Sequence, residues 1–286
     1  MKPVAKTANK RHGCVVFKDD SEDKGPLLYV TGMAVDGDGS PHCYHPDGKG
    51  LDDNRNAYDP ERKMWVGVVV DKQGNPVVQG PGSAAPGYWL SPTSLQDKSF
   101  PSTDSRRYVN SEEIPYFAFA RKLKDASGAR DVERLQLGVN LGDYGVMYHI
   151  TKKTITGGLF ADVGPGFKLG EASVRSARDL GLPPSPRNGG EDHPRVAYVV
   201  FPESNDGDAW PRDGEAVKAK AMALFEKWGG LPTLLPLIDT LKAQSFEAIQ
   251  GPEDELAADL PTAADRARED EPVVADPADC NAATAD

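Results

Sequence analysis

The chain has 286 residues, 38% of them apolar, which is enough for one sizeable core and too few for more than about two domains. Three cysteines exclude a disulfide scaffold, and no apolar run approaches the roughly 20 residues of a membrane helix. The net charge is −11, and the absence of a basic patch interleaved with aromatic residues argues against a nucleic-acid partner.

Composition divides the chain into four parts. Residues 1–12 are basic, lack the apolar stretch of a secretory signal, and predict a flexible arm. Residues 13–203 contain short apolar runs separated by turn residues and predict the folded domain. Residues 204–250 predict two amphipathic helices that cap this domain. Residues 251–286 are rich in Ala, Asp, Glu and Pro and carry most of the net charge, which predicts a disordered acidic tail.

Regular short strands dominate the predicted domain. With few helices between them, they indicate a mainly β (α+β) fold, a barrel or a sandwich with peripheral helices. The run 171–181 predicts one helix, with Gly181 directly after its last turn. The run 66–70, the polar loop DKQGN and the run PVVQ after it predict a β-hairpin. The predicted strands span 14–17, 27–35, 65–70, 75–79, 116–120, 135–139, 144–150, 157–163 and 195–201.

The glycine- and aspartate-rich segment 35–53 follows a predicted strand. Asp36 and Asp38 lie two residues apart, so an extended backbone would place both carboxyl groups on one face. Tyr44 could stack on a sugar ring. The segment can be interpreted either as a carboxylate-lined substrate loop or as a polar turn, while its spacing does not fit an EF-hand.

Zinc-ligand residue types occur in the same segment. His42, Cys43 and His45 match no standard closed site, and no second Cys/His cluster follows, so no metal is predicted. The chain also contains no G-x-S-x-G, P-loop, H-E-x-x-H or C-x-x-C motif.

A second cluster, GGLFADVGPGFKLGEAS at 157–173, contains two acids nine positions apart. Asp162 ends an apolar strand, and Glu171 is predicted to open a helix across a glycine-rich turn. Two carboxyl groups in unlike environments are what glycoside hydrolysis requires. The alternative interpretation is a capping glutamate and a turn aspartate.

This stretch resembles the signature of glycoside hydrolase family 75, the endo-chitosanases, with its Asp and Glu nine residues apart. The resemblance covers about residues 13–203. It extends to VDGDGSPHCYHPDGKG, GYWLSPTSLQDKS, NLGDYGVMYH and RVAYVVFP.

The resemblance implies endo-hydrolysis of β-1,4 links in chitosan by an inverting mechanism, without a metal or an organic cofactor. The signature acids fall on Asp162 and Glu171, with Glu171 assigned as the acid and Asp162 as the base, although the reverse order stays open. Chitosan carries ammonium groups, and Asp36, Asp38 and Asp143 are the candidates to bind them. By analogy, the barrel is expected to be of the double-psi type.

Family members are typically secreted, whereas this sequence shows no secretory signal at its start. Two alternatives therefore stand beside the chitosanase hypothesis. One is a peptidoglycan-cleaving effector exported by a dedicated secretion machine, and the other is a non-catalytic carbohydrate-binding or interaction protein on the same scaffold.

Overall fold

The computed structural model describes residues 1–8, 13–21, 24–164, 166–207 and 210–249. Within these ranges the helices are α1 (Val174–Asp179), α2 (Gly214–Trp228) and α3 (Gly230–Ile249). The strands are β1 (Lys2–Lys6), β2 (Val15–Lys18), β3 (Leu27–Asp36), β4 (Tyr58–Asp59), β5 (Met64–Trp65), β6 (Tyr116–Ala120), β7 (Lys122–Asp125), β8 (Asp131–Glu133), β9 (Tyr144–His149), β10 (Thr154–Gly164), β11 (Glu171–Ser173) and β12 (Glu191–Val200).

Six strands form a closed barrel in the order β11-β6-β10-β9-β12-β3, and β3 pairs with β11 to complete it. Two of these pairings are parallel, β10 with β6 and β11 with β3, and the others are antiparallel. From β3 the sheet continues outward through β2, β1, β7 and β8. The predicted mainly β barrel with peripheral helices is confirmed, whereas its double-psi type stays a prediction.

Alternation along the strands gives the barrel two apolar layers. On β3, Tyr29 and Val35 point into the interior core, while Leu28 and Val30 point outward into a second core. The interior core is closed at one end by α1, whose Val174 and other apolar residues pack into it. The strands are therefore apolar on both faces wherever a helix covers them.

Helices α2 and α3 cover part of the outer face of the barrel. The Asp213 side chain caps the start of α2 by accepting a hydrogen bond from the Glu215 N–H group. Phe225 and Leu234 belong to the second core, on the outside of the barrel, together with residues of β9 and β10. At Gly157 of β10 the helix approaches so closely that a Cβ atom would lie 2.6 Å from the Cβ of Ala221.

Two local predictions differ from the structure, and a third lies outside the described residues. Lys2–Lys6 form β1, paired with β2 and β7, instead of a flexible arm, because Ala5 packs into the interior core. The predicted strand 135–139 is a 3₁₀ turn, Arg134–Leu137, which Gly138 ends with a φ of 79°. The predicted acidic tail, 251–286, lies outside the described residues.

The hairpin and the helix near the second acid also differ. The hairpin is reduced to one bridge, Val70 to Pro76, flanked by hydrogen bonds from the Asp71 N–H group to the Asn75 carbonyl and from the Val77 N–H group to the Val69 carbonyl, both 2.8 Å. Helix α1 begins at Val174, later than predicted, since the Ser173 side chain accepts a hydrogen bond from the Ser176 N–H group and caps it. Gly181 follows the helix with a φ of 69°, as predicted.

No helix in the described part of the chain is long and apolar enough to cross a membrane.

Gly157→Ala tests the contact between α2 and the barrel. The added methyl group meets Ala221 and the backbone carbonyl oxygen of Lys218 at 2.8 Å, so the helix must shift. We expect the free energy of unfolding in urea to fall by about 1–3 kcal/mol. Gly80→Ala is the matched control, since no atom lies within 4 Å of its added Cβ. Equal stability of both variants would contradict close packing at Gly157.

Candidate functional site

The two signature acids lie on the two strands that flank β6. Asp162 of β10 and Glu171 of β11 are each in register with Ala118 of β6. Phe117 and Phe119 on either side of Ala118 belong to the interior core, so Ala118 and both acids face outward. Two strand spacings separate the acids, which places their Cα atoms about 10 Å apart.

A β-bulge sets the direction of Asp162. Phe160 is in register with Phe117, but Asp162 and not Ala161 is in register with Ala118. A regular ladder would instead place Asp162 opposite Phe119 and point its carboxyl group into the interior core. The extra residue in β10 therefore turns this acid to the outside of the barrel.

Glu171 belongs to a strand and does not open a helix as predicted. It is the first residue of β11, in register with Ala34 of β3, and it is buried. Asp36 ends β3 two residues after Ala34, so it lies on the same outer face as Glu171. Three barrel strands thus contribute Asp36, Asp162 and Glu171 to one surface.

A pocket of about 50 Å³ opens on this surface. The long segment between β3 and β6, residues 37–113, supplies its wall, and no basic residue is among the described residues that line it. The lining residues are Asp36, Asp38, Tyr44, Asp52, Asn56, Val66, Gly67, Asp162, Val163, Gly164 and Glu171. Four of the predicted acids and Tyr44 are therefore brought together.

Ser94 fixes the carboxyl group of Asp162. The Ser94 N–H and hydroxyl groups both donate to Asp162 Oδ1, at 2.8 and 2.6 Å. The same hydroxyl oxygen accepts the N–H group of Val163 at 3.0 Å, so its proton is directed at the carboxylate. This arrangement stabilises Asp162 in its ionised form.

Three carboxyl groups crowd one side of the pocket. One oxygen from each of Asp36, Asp38 and Asp162 lies within 4.8 Å of the other two. At an effective dielectric constant of 20, each ionised pair at this distance repels by about 3 kcal/mol. These three residues form the one group in the described part of the chain that could hold a metal ion.

Asp38 lies in a strongly perturbed environment. Its Oδ1 atom lies 2.9 Å from the Ser91 hydroxyl oxygen and 3.7 Å from the Cys43 sulfur. Burial raises the pKa of Asp38 well above its usual value, and the neighbouring Asp36 carboxylate raises that pKa further. The Asp38 N–H group donates to Asp36 Oδ1 at 2.8 Å.

Tyr44 lines the pocket with its hydroxyl group. The hydroxyl donates to Asp52 Oδ2 at 3.3 Å, and Asp52 Oδ1 accepts from Asn56 Nδ2 at 2.8 Å. The ring is 2% exposed and packs against Ala57 and Val68. Burial raises the pKa of Tyr44 well above its usual value. The buried ring has no exposed face for the predicted sugar stacking.

The predicted role of Asp143 in substrate binding is wrong. This residue is fully buried, away from the pocket, and its carboxylate accepts five hydrogen bonds. The donors are the backbone N–H groups of Asn140, Glu203, Ser204 and Asn205 and the Asn205 side-chain amide. Burial raises the pKa of Asp143, while these donors oppose that rise. Asp143 therefore links the segment before β9 to the segment after β12.

The zinc-ligand residue types do not converge. His42 Nδ1 lies 2.9 Å from Glu112 Oε2, and His45 Nδ1 accepts the Asp47 N–H group at 3.0 Å. Cys43 is buried beside Asp38. Each of these three side chains therefore contacts another residue of the chain.

Sequence reasoning missed Asp52, Ser91 and Ser94. Asp52 belongs to the acid-rich segment 35–53 but lacks the period-two spacing that selected Asp36 and Asp38. Both serines lie in the stretch 87–99 that resembles family 75. Their hydrogen bonds to Asp38 and Asp162 became visible only in the structure.

No family model matches the chain, and a search of the curated proteins finds no similar sequence. The family 75 resemblance therefore stays a prediction, and the geometry of the pocket has to support any functional proposal.

Asp143→Asn tests the structural role of that residue. Because an amide nitrogen replaces one accepting oxygen, some of the buried N–H donors lose their partner. We expect the free energy of unfolding to fall by about 2–4 kcal/mol in urea titrations. The exposed Asp192→Asn serves as the control and should change little. A wild-type stability for Asp143→Asn would contradict this role.

Proposed function

We propose that this protein is a glycoside hydrolase that cleaves β-1,4 links of chitosan or a related amino-sugar polymer. The observation that supports this function is the placement of Asp162 and Glu171 in one acidic pocket, each in register with Ala118. The sequence alone shows that the two acids lie nine residues apart, but it does not show how their side chains are arranged.

An inverting mechanism suits this arrangement. Inverting enzymes keep their two carboxyl groups about 6.5–9.5 Å apart so that a water molecule fits between base and sugar. A Cα separation of about 10 Å with both side chains on one face is compatible with that range. The pocket of about 50 Å³ has room for water, and the sugar rings would lie across its mouth.

Ser94 supports a division of roles between the two acids. Its two hydrogen bonds favour an ionised Asp162, which is the form a base needs to activate water. Glu171 then protonates the glycosidic oxygen of the leaving sugar, and Asp162 takes a proton from the attacking water. The hydroxide equivalent adds to the anomeric carbon as the glycosidic bond breaks, which inverts the configuration.

The charge of the pocket favours a cationic substrate. Five of its lining residues are acidic, and an ammonium group on a neighbouring sugar would offset their mutual repulsion. Beside Val66, Trp65 packs edge-on against Tyr58 and Trp89, with ring centroids 4.9 and 4.8 Å away. Trp65 and Trp89 are half-buried, so their remaining faces could pack against sugar rings.

Asp162→Asn and Glu171→Gln test the catalytic pair. Each change removes one proton-transfer group without changing side-chain size, so we expect kcat on chitosan to fall about 10²–10⁴-fold. Release of reducing ends measures the rate, and sacculi as a second substrate test the peptidoglycan alternative. Asp47→Asn, an exposed change in the same loop region, is the control. Sugar binding without product in the unmodified protein would favour the non-catalytic alternative and contradict the proposal.

Substrate charge should also affect the rate. We expect cleavage to decrease as the polymer is acetylated, because acetylation removes the ammonium groups that the acidic pocket attracts. Raising the salt concentration should increase KM for chitosan, since ions screen this attraction. Series of defined acetylation and ionic strength provide the measurement. A rate that rises with acetylation would contradict a cation-binding pocket.

A further inference from the structure

We propose that Arg187 is a positioning residue whose guanidinium group holds the loop 48–52 in place, and this loop brings Asp52 into the acidic pocket. The inference rests on the proposed function for its effect on substrate binding. The contact itself is a property of the protein without substrate. Arg187 lies between α1 and β12, outside every motif that the sequence singles out.

The guanidinium group of Arg187 gathers four backbone carbonyl groups. Its Nη2 atom donates to the carbonyl oxygens of Gly48 and Gly50 at 2.7 and 2.8 Å. Nη2 also lies 3.1 Å from the Asp52 carbonyl oxygen, and Nε lies 3.3 Å from that of Leu51. Carbonyl oxygens can only accept, and four of them directed at one point repel one another. The planar, permanently charged guanidinium fork satisfies all four together.

The segment that carries this arginine is rigid. Three of the eight residues 183–190 are prolines, each with a fixed φ. The Gly189 N–H group donates to the Ser185 carbonyl oxygen at 2.7 Å, and the Gly190 N–H group donates to that of Pro183 at 2.9 Å. These constraints leave the backbone little freedom, so the arginine is a fixed anchor for the loop that it holds.

The same rigid segment also touches the acid-bearing end of β3. A Cβ atom added at Gly37 would lie 3.2 Å from Pro186 Cγ, so this proline packs against the chain between Asp36 and Asp38. The arginine is the next residue after the proline. One rigid segment therefore contacts the backbone of two pocket acids and the loop 48–52, and it fixes their relative position.

The loop 48–52 affects the wall of the pocket and not the catalytic pair. The Asp52 side chain accepts hydrogen bonds from the Tyr44 hydroxyl and the Asn56 amide, and all three residues line the pocket. A shift of the loop would therefore move this part of the wall. The two proposed catalytic acids belong instead to the barrel strands β10 and β11. We expect Arg187 to influence substrate binding more than the chemical step.

The first test compares KM with kcat. Arg187→Ala removes the guanidinium fork and leaves the barrel strands unchanged. We expect KM for chitosan to rise about tenfold and kcat to stay within about twofold of the wild type, with the same pH profile. Arg130→Ala, which removes an exposed arginine paired with Asp125, is the control. An unchanged KM, or a loss confined to kcat, would overturn the proposal.

The second test measures hydrogen exchange without substrate. The N–H groups of Leu51 and Asp52 each donate a backbone hydrogen bond of 2.9 Å. We expect both amides to exchange about tenfold faster in Arg187→Ala, while the amides of β9 and β12 keep their protection. Unchanged exchange in the loop would overturn the proposal, because the arginine would then not hold it. Lost protection in the barrel strands would also overturn it, because the role would then be general stability.

The third test is chemical rescue of Arg187→Ala by small cations. Methylguanidinium at millimolar concentration can donate to the carbonyl groups that the missing side chain leaves, and it should lower KM of the variant. Methylammonium at the same concentration supplies the same charge and ionic strength without the fork, and it should not. Equal effects of the two ions, or no effect of either, would contradict the proposal.

These tests separate the positioning role from the proposed function. If the wild-type protein cleaves no glycan, the proposed function fails, and hydrogen exchange still decides whether Arg187 holds the loop. If the wild-type protein cleaves chitosan and Arg187→Ala behaves like Arg130→Ala, the positioning role fails while the function stands.

Discussion

The rest of the structure depends on the pairing of the three-residue strand β11 with its two neighbours. It joins β6 to β3 and so closes the barrel, with Glu171 as its first residue. Its last residue, Ser173, caps α1 and accepts the N–H group of Tyr116 at 3.1 Å. One short strand therefore takes part in barrel closure, in the capping of α1 and in the placement of Glu171 near Asp162.

The sequence predicted those parts of the fold that local periodicity controls. Apolar runs at Tyr116–Ala120 and Tyr144–His149 are strands almost where the pattern placed them, and Gly181 ends a helix as expected. The short strand at Lys2–Lys6 was missed because its five residues begin and end with lysine and include a proline, and its place depends on neighbours far along the chain. Short segments with weak patterns are decided by tertiary pairing.

For the site, residue types were predicted better than residue roles. Asp36, Asp38, Asp162 and Glu171 share one pocket, but the apolar run around Asp162 could not indicate the bulge that turns it outward. Asp143 shows the opposite failure. It was predicted to bind ammonium groups of chitosan, whereas four of its five hydrogen bonds come from the segment after Pro202, which spacing within a motif cannot reveal. Long-range contacts are the part of the argument that sequence alone lacks.

The pocket has a floor from the barrel and a wall from residues 37–113, inserted between β3 and β6. Closure of the barrel depends on the strands and not on this insertion. Evolution could therefore exchange or remodel the insertion while the barrel and its two outward-facing acids are inherited unchanged. In such a lineage, the ligand that the pocket accepts would diverge faster than the barrel that supports it.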